Sequence, residues 1–97
     1  MTYELFFHPL ALKEWKKLSK TLQEQFKKTL KRRLENPHIV SAALSGQLKH
    51  CYKIKLRQSG YRLVYHVNDK QITVTVIALG KRNKNDIYDT SEKRNTV

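Results

Sequence analysis

Ninety-seven residues are enough for one domain (1–97) with a modest core. A composition of 39% hydrophobic residues, with three glycines and two prolines, excludes a disordered, collagenous or low-complexity chain. Twenty Lys and Arg against eight Asp and Glu give a formal charge of +12, a field that attracts polyanions such as nucleic acid or an acidic protein.

Taken in chain order, Tyr3–Phe7 is short and aromatic and ends at His8-Pro9, which predicts a first strand. Pro9 suits the first turn of a helix in which Ala11, Trp15 and Leu18 share one face. Thr21-Leu22-Gln23-Glu24 fits a capping box with Thr21 at the N-cap, opening a second helix whose Leu22, Phe26, Leu30 and Leu34 form an apolar stripe. Asn36-Pro37 ends it, because a residue before proline is pushed out of the helical region. Its polar face carries Lys27, Lys28, Lys31, Arg32 and Arg33, a pattern that suits a solvated face and a phosphate-tracking surface equally. After a connection over 39–49, Tyr52–Arg57 and Tyr61–Val67 alternate across a Ser59-Gly60 turn. Ile72–Leu79 is a β-branched run fit for a well-covered strand. Lys81–Tyr88 is polar, a short helix or an extended arm, and residues 89–97 read as a fraying tail. The expected fold is α+β in the order β-α-α-β-β-β: a small, largely antiparallel four-stranded sheet with the two N-terminal helices packed on one face.

No acidic residue stands between Glu35 and Asp69, yet Lys49, Lys53, Lys55, Arg57 and Arg62 all do. Residues two apart in a strand share a face, so Lys53, Lys55 and Arg57 project together. A two-residue turn at Ser59-Gly60 would set Arg57 opposite Arg62 and Lys55 opposite Val64, bringing Arg62 to the same face; an odd loop would send it to the other. Like charges facing one another across strands cost stability. A bound polyanion would offset that cost, whereas an edge hairpin guarded by lysines explains the lysines but not the converging arginines. The single cysteine, Cys51, rules out an intrachain disulfide or a cysteine-built zinc site, and His8, His38, His50 and His66 lack ligand-like spacing. No metal site or cofactor motif is read, nor a paired carboxylate or a Cys/His dyad. Cations alone suit phosphoryl transfer, which needs mainly positioning and charge neutralisation. RNA brings its own nucleophile, the 2′-hydroxyl, and an arginine, always charged, cannot be the base. Lys53, Lys55 or a tyrosine remains. The N-terminus shows no signal-peptide pattern and no segment approaches the ~20 apolar residues of a membrane span, so a cytoplasmic protein without a membrane partner is expected.

Cys51-Tyr52-Lys53-Ile54-Lys55-Leu56-Arg57, Ser59-Gly60-Tyr61-Arg62-Leu63-Val64-Tyr65, Gly80-Lys81-Arg82 and Tyr88 resemble the signature of the RelE family of bacterial toxins, as do Ala11–Trp15 with Lys17-Leu18. That resemblance implies a type II toxin: a ribosome-dependent, metal-independent mRNA endonuclease of the bacterial cytoplasm that cuts A-site codons and leaves a 2′,3′-cyclic phosphate. It also implies an acidic antitoxin partner, and operator DNA bound only by the toxin–antitoxin complex. By position, Lys53 and Lys55 would neutralise the scissile phosphate, Arg62 would stabilise the transition state, and Arg82 would protonate the leaving 5′-oxygen. Tyr88 would stack on or orient the nucleotide, and the base is left open between Lys55 and Tyr88. Arg57, Lys49 and Lys81, with Lys27, Lys28, Lys31 and Arg32 of the second helix, are the expected RNA and ribosome contacts. Ser45 stands where some members have an arginine, and Asp89-Thr90-Ser91 is a poor helix former. The alternatives are a toxin of the related ParE branch, acting on DNA gyrase without cutting RNA, and a basic RNA-binding module without catalysis. Against the latter, Tyr52, Tyr61 and Tyr65 fall on the core side of the alternation rather than on a stacking face.

Overall fold

The alternating and β-branched segments become strands, and the two apolar stripes become helices that cover them. The computed structural model describes residues 2–81 and 86–95. Its elements are β1 (Glu4–Phe7), α1 (Pro9–Lys16), α2 (Lys20–Glu35), β2 (Cys51–Leu56), β3 (Tyr61–Asn68), β4 (Thr73–Lys81) and α3 (Asp86–Asn95). Two short 3-10 turns, Val40–Ala42 and Gly46–Leu48, connect α2 to β2. The strands form one sheet in the order β1-β4-β3-β2. β2, β3 and β4 make the expected antiparallel meander, while β1 lies parallel to β4. The intervening helices and hairpin supply the long crossover that a parallel pair requires.

Both N-terminal helices are capped locally. His8 Nδ1 accepts the Leu10 N–H at 3.1 Å, with Pro9 in the first turn as expected. The second helix starts earlier than the capping box suggested: Ser19, not Thr21, is the N-cap, its Oγ accepting the Leu22 N–H at 3.3 Å. Both hydroxyls are good caps. The earlier one wins because helical backbone from Lys20 keeps the stripe in phase and adds half a turn. Asn36 closes the helix ahead of Pro37, as expected.

The sheet has two unequal cores. On one face Phe26 and Leu30 of α2 and Ala11 of α1 pack on Ile54, Leu63, Tyr65, Val67, Val74, Val76 and Leu79. On the other, Ile87 of α3 and Leu48 pack on Cys51, Val64, Ile77 and Ala78, with Tyr88 and Leu44 at the margin. A β-bulge makes this division possible. The β3–β4 register slips between Val64–Ala78 and Tyr65–Val76, leaving Ile77 as an extra residue, so that Ile77 and Ala78 both serve the second core.

The C-terminal end departs from expectation. Residues expected to fray from Asp89 onward form α3, which continues to Asn95. Ile87 is 8% exposed and Ser91 is fully buried, its hydroxyl donating to the Ile87 carbonyl at 2.7 Å. Tertiary packing outweighs a propensity deficit of a few tenths of a kcal/mol per residue.

Candidate active site

The β2–β3 hairpin decides which cations meet. The observed pairs are Leu56–Tyr61, Lys55–Arg62 and Lys53–Val64, so the connecting loop is Arg57-Gln58-Ser59-Gly60 rather than Ser59-Gly60 alone. The expected pairing of Arg57 with Arg62 is therefore displaced by two residues along β2, and Arg57 sits in the loop. The loop remains even, so the expected sharing of one face by Lys53, Lys55 and Arg62 holds. Gly60, at φ +76°, takes the left-handed conformation that closes the turn.

Arg62 lies at the centre. It is 8% exposed, faces Lys55 across one ladder and Gly80 across the other. A side chain at Gly80 would meet nothing within 4 Å, so the sheet beside Arg62 is open on that flank. From α3, the Tyr88 hydroxyl accepts a hydrogen bond from Arg62 Nη1 at 3.1 Å, with the guanidinium carbon 5.8 Å from the ring centroid. Among the described residues the ion pairs are His38–Asp69 and Glu14–Arg94, and Arg62 belongs to neither. A recess of about 300 Å³ joins Lys55, Arg57, Gly60, Tyr61 and Arg62. Lys53 is half-buried and Lys55 exposed on the same face. Arg82, the remaining member of the expected set, lies outside the described residues.

The expected docking cations divide into groups. Lys28 and Arg32 line a cleft of about 630 Å³ between α2 and the hairpin, where Lys55 and Arg57 form the opposite wall. Lys55 and Arg57 line both hollows, so these two cations stand between that cleft and the Arg62 recess. Lys27 and Lys31 line a separate apolar groove with Leu5, Phe7, Trp15, Leu30 and Leu34. Lys81 is exposed at the end of β4, opposite Tyr61, and Lys49 is exposed just before β2.

Arg33, read from the sequence as part of the solvated face, turns inward. Its Nη1 donates to the Tyr65 hydroxyl at 2.9 Å and to the Lys53 carbonyl at 3.4 Å, while the Tyr65 hydroxyl donates to the Pro37 carbonyl at 2.8 Å. The signal was present: Arg33 stands seven residues after Phe26 and three after Leu30, on the flank of the apolar stripe. At the opposite end of the hairpin, Asp69 accepts from the Tyr3 hydroxyl at 2.7 Å and lies 2.8 Å from His38 Nε2; His38 Nδ1 is 2.7 Å from the Tyr52 hydroxyl. The Tyr3 and His38 hydrogen bonds hold the Asp69 carboxyl below its usual range. Sequence spacing could not bring together residues 3, 38, 52 and 69. Burial pushes the Cys51 thiol up to about 12, which removes it as a nucleophile. His66 shares the cation face but lies away from Arg62, opposite Cys51, and burial together with the nearby His50 lowers its pKa.

The arrangement can hold a phosphate between Arg62 and the two lysines and present a phenol beside it. A family model described as the ParE toxin of the type II toxin–antitoxin system parDE matches residues 5–86. The mRNA interferase toxin RelE of Escherichia coli (strain K12) is 51% identical over 94 residues, which cover 97% of this chain and 98% of that protein. The chain belongs to the RelE family of toxins. Solved RelE structures share its fold over nearly the whole chain. A substituted E. coli RelE in the free state matches at a TM-score of 0.89 and 50% identity, covering 97% of this chain and 98% of its own. The toxin in the intact E. coli RelBE toxin–antitoxin complex matches at 0.80 and 52% identity, covering 84% of this chain and 99% of its own.

Proposed function

We propose that the chain is the toxin of a type II toxin–antitoxin pair, a metal-independent endoribonuclease that cuts mRNA codons in the ribosomal A site. Arg62 carries the reading. A guanidinium this buried, with no carboxylate partner among the described residues, bears a desolvation cost that a bound phosphate would relieve. The identity to E. coli RelE over the full length supports the same activity and favours it over the gyrase-directed branch, although the matching family model carries the ParE name.

In this reading the 2′-hydroxyl attacks the adjacent phosphorus. The O2′–P bond forms, the P–O5′ bond breaks, and the products are a 2′,3′-cyclic phosphate and a 5′-hydroxyl. Lys53 and Lys55 neutralise the non-bridging oxygens, and Arg62 stabilises the charge that grows in the transition state. The 2′-proton passes to Lys55 or Tyr88, and Arg82 supplies the proton to O5′. Arg57, Lys28 and Arg32 guide the backbone along the cleft, while Lys49, Lys81, Lys27 and Lys31 contribute to the positive field that draws the toxin to ribosomal RNA. The +12 charge equally suits an acidic antitoxin, and the E. coli relative has been solved in complex with its own. The toxin–antitoxin complex, rather than the toxin alone, then binds operator DNA, in the bacterial cytoplasm.

The test adds purified protein to translating ribosomes on a defined mRNA and maps the new 5′ ends. Cleavage within A-site codons, lost in Arg62→Ala, is expected. Intact mRNA with inhibited gyrase supercoiling would establish the ParE-like reading instead. The pH–rate profile separates the bases: whichever of Lys55→Ala and Tyr88→Phe abolishes the limb that rises with pH, where the base must first lose its proton, identifies the acceptor.

A further inference from the structure

The ladder between β1 and β4 ends at Phe7–Val76, with a last bond from the His8 N–H to the Val76 carbonyl at 2.8 Å. Beyond it β4 runs on to Lys81, and no strand among the described residues pairs with it on that side. Two side chains replace the missing strand. Glu14 of α1 accepts the Leu79 N–H through Oε1 at 3.3 Å, and Arg94 of α3 donates from Nη1 to the Ile77 carbonyl at 2.9 Å. The two also hold each other as a fork, Nη1 to Oε1 at 2.8 Å and Nη2 to Oε2 at 3.1 Å. The Arg94 side chain is 13% exposed. Because α1 packs on one face of the sheet and α3 on the other, this pair clasps both helices round the free edge of β4.

We propose that Arg94, through Glu14, is a positioning residue for Tyr88. The inference rests on the nuclease reading of the site above. Tyr88 and Arg94 lie six residues apart on α3, about 9 Å along the helix axis. Between them only Ser91 is fully buried, and Ile87 anchors the other end. A helix of ten residues does not hold itself in water. Ile87 and the small Ser91 limit how far α3 can leave the sheet but fix its rotation and pitch weakly. The fork on Glu14 and the Ile77 carbonyl fixes both, and thereby brings the Tyr88 hydroxyl to Arg62. The polarity of the edge also determines which residue stands where: Leu79 offers a donor and needs the carboxylate, whereas Ile77 offers an acceptor and needs the guanidinium.

The experiment follows the Tyr88 ring resonance in full-length toxin, assigned by its loss in Tyr88→Phe, alongside ribosome-dependent cleavage. Arg94→Ala should shift that resonance as Arg62→Ala does. It should lower kcat roughly tenfold or more and leave KM within about twofold, the signature of a misplaced reacting group. Arg94→Lys, which keeps the charge for Glu14 but not the two-nitrogen fork, should regain part of the rate. The exchanged pair Glu14→Arg with Arg94→Glu should not, since it sets donor against donor at Leu79 and acceptor against acceptor at Ile77. Val67→Ala, a destabilising change in the opposite core, should leave kcat per folded molecule unchanged. An unmoved Tyr88 resonance in Arg94→Ala, full rescue by the exchanged pair, or an equal kcat loss in Val67→Ala would overturn the proposal. Wild-type cleavage by Tyr88→Phe would overturn it too while leaving the nuclease reading intact, because that reading is decided by Arg62→Ala.

Discussion

The two faces of the sheet are built to different ends. One carries the larger core, where two helices pack and the Trp15 ring meets those of both Phe7 and Phe26. The other carries a smaller core beside a row of cations, covered by one short helix held largely through polar contacts. A small chain has little apolar material to distribute. Here most of it lies under α1 and α2, which frees the opposite face to hold charge that the fold does not need. The lesson is that the site is cheap to lose without unfolding the protein, and the large core is costly to disturb without touching the site.

That contrast can be broken at several points. Arg62→Leu should lower cleavage by about 10²–10³-fold, the usual loss for a transition-state donor. It should also leave the melting temperature unchanged or raise it, because replacing an uncompensated buried charge by an apolar group is neutral to stabilising. Phe26→Ala should do the reverse, costing about 3–5 kcal/mol in denaturant unfolding while cleavage per folded molecule persists. Tyr65→Phe tests the link between faces: it removes the hydroxyl that joins Arg33 to the Pro37 carbonyl, at a cost of about 1–3 kcal/mol. Because Arg33 also bonds the Lys53 carbonyl, a modest rate loss should follow. The salt dependence of ribosome or RNA binding should distinguish the helix cations. Lys28→Ala with Arg32→Ala, removing two phosphate contacts, should flatten the log–log slope by about 1.4 units, and Lys27→Ala with Lys31→Ala by less than half of that.

The smallest effect concerns acid. His66 has its pKa lowered by burial and by His50, so the unfolded chain binds a proton more readily than the folded one. The stability it contributes is present above its unfolded pKa, near 6.5, and is lost as pH falls through the lower folded value. His66→Gln should therefore reduce the drop in melting temperature between pH 7 and pH 5. An unchanged drop would remove His66 as its cause, since Asp69, whose depressed pKa acts in the same direction, loses its contribution only below that window, as pH falls under about 4.

Much of this was legible in the chain. The Leu22-Phe26-Leu30-Leu34 stripe, the two alternating segments and the β-branched run at 72–79 set out the element order, because period and composition together separate helix from strand. The shared face of Lys53, Lys55 and Arg62 needed only the parity of the hairpin loop, and parity survived although the loop proved four residues long. What was illegible depends on contacts distant in sequence. Residues after Asp89 look too polar for a helix until the buried wall of Ile77 and Ala78 and the Glu14 carboxylate are in place to receive them. Arg33 looks like its lysine neighbours until Tyr65 offers it a hydroxyl. The choice of Ser19 over Thr21 turned on half a helical turn, below what residue preference resolves.

The bulge at Ile77 has a consequence for chain length. Had β4 kept strict alternation past Val76, Leu79 would point toward the cations and Gly80 into the large core, filling the open flank of Arg62 with an isobutyl group. The extra residue absorbs that mismatch. A natural variant lacking Ile77 would carry one amino acid fewer, yet each residue after the gap would stay on its present side of the sheet. Such a deletion would remove the carbonyl that Arg94 grips and part of the wall beneath α3, so its effect would fall on the C-terminal helix rather than on the strand that lost the residue.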